Sequence, residues 1–302
     1  MMTERVSTYG LTNGMMNSAM GLQSRFAKAE LQSASGLKAS NYADLTPSEC
    51  SRLISIENAL NRSQTWSGNA QTVIDRVETM HSAVGDMADK MTNLRALLSS
   101  AMSDTATVLD YASYGSELLD DLAGLMNTQV SGDYVFGGAI SGTKPVEIDS
   151  LASPTLTDAD TSYYEGSSSL ASVQVSKEET ITYGVNAGDT SDGFEKALRA
   201  ANLLKSSSPL DSATISGIYD LTVSAIDELT STQARLSLAS SRLSSAKTSQ
   251  DDATTLLTNQ VSSIKEVDVA TAAVTVSNLQ TSLQSSYSAL AKIYKLSLTN
   301  YL

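Results

Sequence analysis

The chain of 302 residues is poor in the residue types that fill a thick core or arm a reactive site. Three Phe, one Trp and twelve Tyr leave aromatics at 5 %. With only four prolines as well, the profile argues against one deep globular core and for long helices with local packing. A single cysteine, Cys50, excludes an internal disulfide and leaves no partner for a metal–thiolate site. Its default reading is a buried packing residue near the start of a helix. Positive charge is also scarce. Twenty Lys and Arg face thirty-three Asp and Glu, and the formal charge of −13 is broken by no basic run. That excludes nucleic acid and anionic membrane as partners, since both need clustered cations. No apolar run approaches the roughly 18 residues of a membrane span. The opening "MMTERVSTYGLTNGMM" carries a charge of each sign and no continuous apolar core, so it does not read as a general secretory signal. The expectation is a cytosolic chain of two or three domains, or one exported by a route that reads no cleaved signal.

What is abundant is helical periodicity. From Trp66 the apolar positions alternate steps of four and three through Ala70, Val73, Val77, Met80, Val84, Met87, Met91, Leu94, Leu98 and Ala101. Ten such steps keep one stripe on one helix face. Upstream, "TPSE" places Thr46 as N-cap, Pro47 at the first helical position and Glu49 as the closing member of a capping box. The spacing predicts one helix from Pro47 to Ser103. A second helix carries Val108, Tyr111, Leu118, Leu122 and Leu125, and closes near "VSGDYVFGG". Composition then turns to Gly, Ser, Thr and Asp. "SVQVS" and "TITYGV" read as paired strands joined at "KEE", followed by a short helix from Phe194 to Leu204. Helical spacing resumes near Asp211 and runs to Ile264, with a register break at "KEVDVA".

Both ends carry a stripe of their own. Near the start it comprises Met15, Ala19, Leu22, Phe26 and Ala29, stopping at the polar "SASGLKASNYADL". Near the end it comprises Val276, Leu279, Leu283, Leu290 and Ile293, with Leu298 and Leu302 beyond. Tyr287, Tyr294 and Tyr301 flank it seven residues apart. The order of elements is nearly symmetric about the insert, so the two halves are expected to run antiparallel. The fold class is mainly α with a small β-containing insert, an elongated antiparallel helical bundle with paired N- and C-terminal helices. The expected segments are 1–45, 46–130, 131–205, 206–267 and 268–302. Ordering two terminal helices costs backbone entropy that a single shared seam recovers poorly. These ends are therefore expected to fold on assembly, burying their remaining face on neighbours.

Reactive motifs are weak. His81 sits beside the Met80 stripe without the companions of a Ser–His pair or a metal site. "FGGAISGTKP" fails as a phosphate loop, because Lys144 follows Thr143 and Pro145 stands where a helix should begin. Asp158 and Asp160 have calcium-loop spacing, but the glycine and the closing glutamate are missing. Asp120, Asp121, Asp251 and Asp252 read as solvated helix-surface pairs. No enzyme, cofactor or metal is expected.

The stretch "DVATAAVTVSNLQTSLQSSYSALAKIYKLSLTNYL" resembles the terminal helix of the bacterial flagellin family, including its "LSL-x-NYL" ending. "RVSTYGLTNGMM", from Arg5, resembles the family's amino-terminal opening. "GDYVFGG" and the hairpin-and-helix stretch from Tyr163 to Leu204 are similar to the branch that joins hook to filament. The linker departs from the family pattern: Ser35-Gly36 is present, but Leu37 precedes Lys38 and no Asp-Asp-Pro follows. The resemblance implies a structural adaptor in the bacterial flagellum. Arg5–Ser35 and Asp268–Leu302 would form an inner tube domain, the long helices a middle domain, and residues 131–205 an outer domain. It implies an extracellular site and type III export without a cleaved signal peptide. The implied partners are the first hook-associated protein, flagellin, further copies of the chain and a flagellar export chaperone. The competing readings are a filament-forming flagellin and a soluble signalling or binding coiled coil.

Overall fold

The computed structural model describes residues 2–39, 41–103, 110–207 and 210–299, with side chains from 10 to 294. These contain six α-helices and two two-stranded antiparallel sheets, a mainly α fold with a small β insert. The chain divides into two compact units, Met1–Asn61 with Thr254–Leu302, and Arg62–Ala253.

Helix α1 (Met2–Ser35) ends at Gly36, whose φ of +69° is the left-handed turn that only glycine adopts without cost. Helix α2 runs Pro47–Ser103, the predicted span. Its capping box is formed: the Glu49 N–H donates to Thr46 Oγ1 at 3.4 Å, and the Thr46 N–H donates to Glu49 Oε2 at 3.1 Å. Cys50, one turn in, is half-buried instead of enclosed, because this first turn still lies on the surface. Helix α3 (Tyr111–Met126) is capped by Asp110, whose Oδ1 accepts the Ser113 N–H at 3.1 Å. Val108, assigned to this helix from its spacing, lies outside the described residues.

The insert opens with a hairpin of β1 (Gln129–Val130) and β2 (Asp133–Tyr134), paired Gln129 to Tyr134 and Val130 to Asp133. Its two turn residues, Ser131 and Gly132, both have positive φ (54° and 91°), as the primed hairpin turn requires. Phe136 then enters the core and meets Phe194 edge to face, with ring centroids 5.5 Å apart. Strands β3 (Ser172–Gln174) and β4 (Thr180–Thr182) pair Val173 with Ile181. They are shorter than "SVQVS" and "TITYGV" indicate. The N–H groups of Tyr183 and Gly184 both donate to Ala171 O at 3.1 Å, a bulge that ends the ladder. Tyr183 and Val185 are still buried, beyond the strand.

Helix α4 (Phe194–Ser206) starts at Gly193, with φ +84°. A Cβ there would stand 2.8 Å from both Ala225 O and Leu229 N of helix α5 (Ser212–Lys265), so glycine is needed for conformation and for contact. Asp211 caps α5, accepting the Thr214 N–H at 2.8 Å. Helix α6 (Val269–Thr299) follows the predicted break and is capped by Asp268, which accepts the Ala270 N–H at 3.0 Å.

In the Arg62–Ala253 unit, the α2 stripe from Ala70 to Leu98 is buried along its length. It joins Leu118, Leu122 and Met126 of α3, Phe194 and Leu198 of α4, and Ile218, Leu229 and Leu243 of α5 in one core. Ser63 Oγ donates to Gln250 O at 3.0 Å, and Gln233 Nε2 donates to His81 O at 3.4 Å. Advancing along α2 thus retreats along α5, so the two helices are antiparallel. The other unit has a small core of Leu53, Ile56 and Ile264, with Leu45, Leu257 and Val261 packed on it.

Candidate assembly interface

Helices α1 and α6 pack on each other. The Val267 N–H donates to Gly36 O at 2.9 Å, so the end of α1 meets the start of α6 and the pair is antiparallel. Spacing alone put the two stripes on single faces; the fold turns those faces together. Ala19 and Leu283 are buried, as are Ala29 and Ala272, and the alanines let the two backbones approach. Met15, Leu22, Phe26, Val276, Leu279, Leu290 and Ile293 are half-buried along the same seam. Tyr287 and Tyr294 stand beside it, 50 % and 52 % exposed. The side chain of Leu298, and Tyr301 and Leu302 altogether, lie outside the described residues.

The seam leaves a second apolar set open. Leu11, Met16, Met20 and Leu31 of α1 and Val274 of α6 are each between 43 % and 68 % exposed. Sequence reasoning passed over these residues because it followed the strongest stripe. The signal that could have found them is Met16, Met20 and Leu31 at helical intervals on another face of α1.

The polar surface of α6 is also suited to burial. From Val269 to Tyr294 the only charged residue is Lys292, and the rest of the polar positions are Ser, Thr, Asn and Gln. Several hydroxyls are already satisfied by the carbonyl one turn back: Thr275 to Thr271 O at 2.9 Å, Thr281 to Ser277 O at 3.0 Å, and Ser285 to Thr281 O at 2.9 Å. A hydroxyl whose proton is bound within its own helix loses little when a neighbour displaces water from it. Few charges and internally bonded hydroxyls make this a surface that another protein can cover cheaply.

Elsewhere, polar groups serve the fold. His81 is half-buried and its carbonyl accepts from Gln233. Asp158 and Asp160 bind their own turn: the Asp158 N–H donates to Thr155 Oγ1 at 2.9 Å, and Asp160 accepts from the Ala152 and Ser162 N–H groups. One cluster escaped sequence reasoning. Glu195 and Arg199, one turn apart on α4, form a buried ion pair at 3.2 Å beneath a cleft of about 190 Å³ formed with residues 151–160. Burial pushes the Glu195 carboxyl up, against the Asp160 N–H and the Arg199 charge, which hold it down. Burial likewise raises Asp192, which accepts a hydrogen bond from Arg235. On an amphipathic helix charges such as Glu195 and Arg199 read as solvated; here the 151–160 loop lies against them. Among the described residues, no three His, Cys, Asp or Glu gather as a metal-ligand set, and no helix is long and apolar enough to cross a membrane.

Against known proteins, the family model of the bacterial flagellin N-terminal helical region matches residues 6–141, and that of the C-terminal helical region matches residues 219–302. No curated protein sequence matches the chain. Among solved structures, a protein of Vibrio parahaemolyticus described as a flagellar hook-associated protein is similar in fold. It has a TM-score of 0.58 at 12 % identity, over 72 % of this chain and 98 % of that one. FlgL of Bacillus cereus aligns over 72 % of this chain and 100 % of its own, with a TM-score of 0.45 at 14 % identity.

Proposed function

Because the chain belongs to the bacterial flagellin family, matched at both ends over most of its length, we propose that it is a structural subunit joining the flagellar hook to the filament. The observation that carries this reading is the α1/α6 pair, which buries one seam and leaves open a second apolar set, mostly on α1, beside an α6 surface with almost no charge. A terminal helix pair of that kind is suited to a lattice, where copies cover what the single subunit leaves wet. The choice of junction over filament is supported by the fold shared with the Vibrio hook-associated protein and by the "GDYVFGG" turn into the insert.

In this reading the terminal segments Arg5–Ser35 and Asp268–Leu302 line an inner tube, the long helices form a middle domain, and residues 131–205 face outward. The partners are the first hook-associated protein on one side, flagellin on the other and copies of the chain within the ring. An export chaperone holds the subunit before it leaves the cell through the flagellar export channel, without a cleaved signal. The chain acts by geometry and carries out no reaction.

Deleting the gene tests the assignment. The expected result is complete hooks together with flagellin shed into the medium. Hooks bearing filaments of reduced length, or a loss of flagellin itself, would identify the chain as a filament subunit instead.

A further inference from the structure

The segment between α1 and α2 is tied down by polar contacts as far as Asp44, and only at Leu45 does it pack on the Leu53 core. Beside Gly36, the Lys38 N–H donates to Lys265 O at 2.7 Å and the Val267 N–H returns to Gly36 O at 2.9 Å. Together they form a short antiparallel bridge between Leu37 and Glu266. Lys38 Nζ lies 2.6 Å from Glu49 Oε1 in the first turn of α2. Beyond residue 40, the Tyr42 hydroxyl donates to Glu57 Oε2 at 2.7 Å. Lys265, the last residue of α5, donates to the other oxygen, Glu57 Oε1, at 2.6 Å and sits 5.7 Å from the centre of the Tyr42 ring. One carboxylate on α2 therefore holds both the linker and the end of α5. The one-turn helix Tyr42–Asp44 buries none of its residues, and Tyr42 is 49 % exposed.

We propose that residues 36–39 and 41–44 form a releasable strap pinned at Glu57, which fixes the α1/α6 pair to the adjoining ends of α2 and α5 and opens as one piece while Leu45 stays on the core. Contacts made by charged hydrogen bonds near the surface can be exchanged for water with little loss of buried apolar area, whereas a segment sealed into a core cannot. Because Glu57 is shared, losing it frees the linker and the α5 terminus together. The Glu266 strand of the bridge then loses the neighbouring Lys265 anchor as the linker loses its Tyr42 anchor, leaving Lys38–Glu49 as the linker's remaining ion pair. Opening lets the terminal pair tilt as a unit while its own seam stays closed. The use of that tilt in fitting two lattices rests on the junction reading above; the strap itself does not.

The test is residue-resolved amide exchange on the full-length monomer. Glu57→Ala is expected to accelerate exchange at Lys38 and Val267 together, by about tenfold, the consequence of losing charged hydrogen bonds. Amides of Met91 and Leu94 in α2, and of Leu243 in α5, should not change. Tyr42→Phe removes one of the two bonds without altering shape, and should accelerate the same two amides by a smaller factor. It also decides the matter should Glu57→Ala fail to fold. Unchanged exchange at Lys38 and Val267, acceleration of only one, or equal acceleration throughout α2 and α5 would each overturn the strap. Failure of the subunit to enter the junction would count against the assembly reading and leave the strap standing.

Discussion

A buried charge is expensive unless every part of it is met, and Glu195 with Arg199 is the place in the molecule where that rule bites hardest. Glu195 is 1 % exposed, and its Oε2 has no hydrogen-bond partner among the described residues. Replacing it with alanine strands the Arg199 guanidinium, and should cost about 3–5 kcal/mol of the stability of the Arg62–Ala253 unit. Thermal melting would read this directly. The paired change Glu195→Met with Arg199→Leu should recover most of the loss, since it removes both charges. At the surface the opposite applies. Met20 is 55 % exposed, so Met20→Asp should leave monomer melting within about 0.5 kcal/mol of the parent. The same change should block incorporation into the flagellum, scored by immunolabelling of purified filaments and hooks. Wild-type incorporation of Met20→Asp would show that the exposed α1 face meets no neighbour.

At the scale of elements, the helices were largely legible, and in the insert the hairpin and the helix from Phe194 were legible while the strand lengths were not. Pro47–Ser103 could be read to its ends because a capping box opens it and a four-three rhythm sustains it, both local signals. The terminal stripes were legible for the same reason, down to Ala19 and Leu283 at the seam. Strand length was not, because the bulge at Ala171 is made by hydrogen bonds from Tyr183 and Gly184, contacts that no local pattern encodes. The burial of Glu195 depends in the same way on a loop distant in sequence. Removing Lys295–Leu302 tests the independence of the last helix. The cores around Leu53 and Met87 are built from residues between Leu45 and Ile264, so the main melting transition should stay in place while assembly is lost. A truncated subunit that melts early, or that still assembles, would contradict the role given to α6.

For the molecule as a whole, many of the described polar groups serve caps, turns and the linker contacts at Glu57. The antiparallel return of α5 along α2 and of α6 along α1 brings the first and last helices together, which is what makes a terminal interface available. That symmetry was visible in the order of the elements. Which side of each terminal helix would remain open was not, since it depends on which faces the pairing consumes.

The cysteine count has a practical side. Cys50 is the chain's one thiol, half-buried in the first turn of α2, where its N–H donates to Thr46 O at 2.9 Å. It lies seven residues before Glu57, on the helix that receives the pin of the strap. The native chain therefore carries a single address for a fluorophore or spin label next to its own moving part, and strap opening can be followed by spectroscopy without engineering a site.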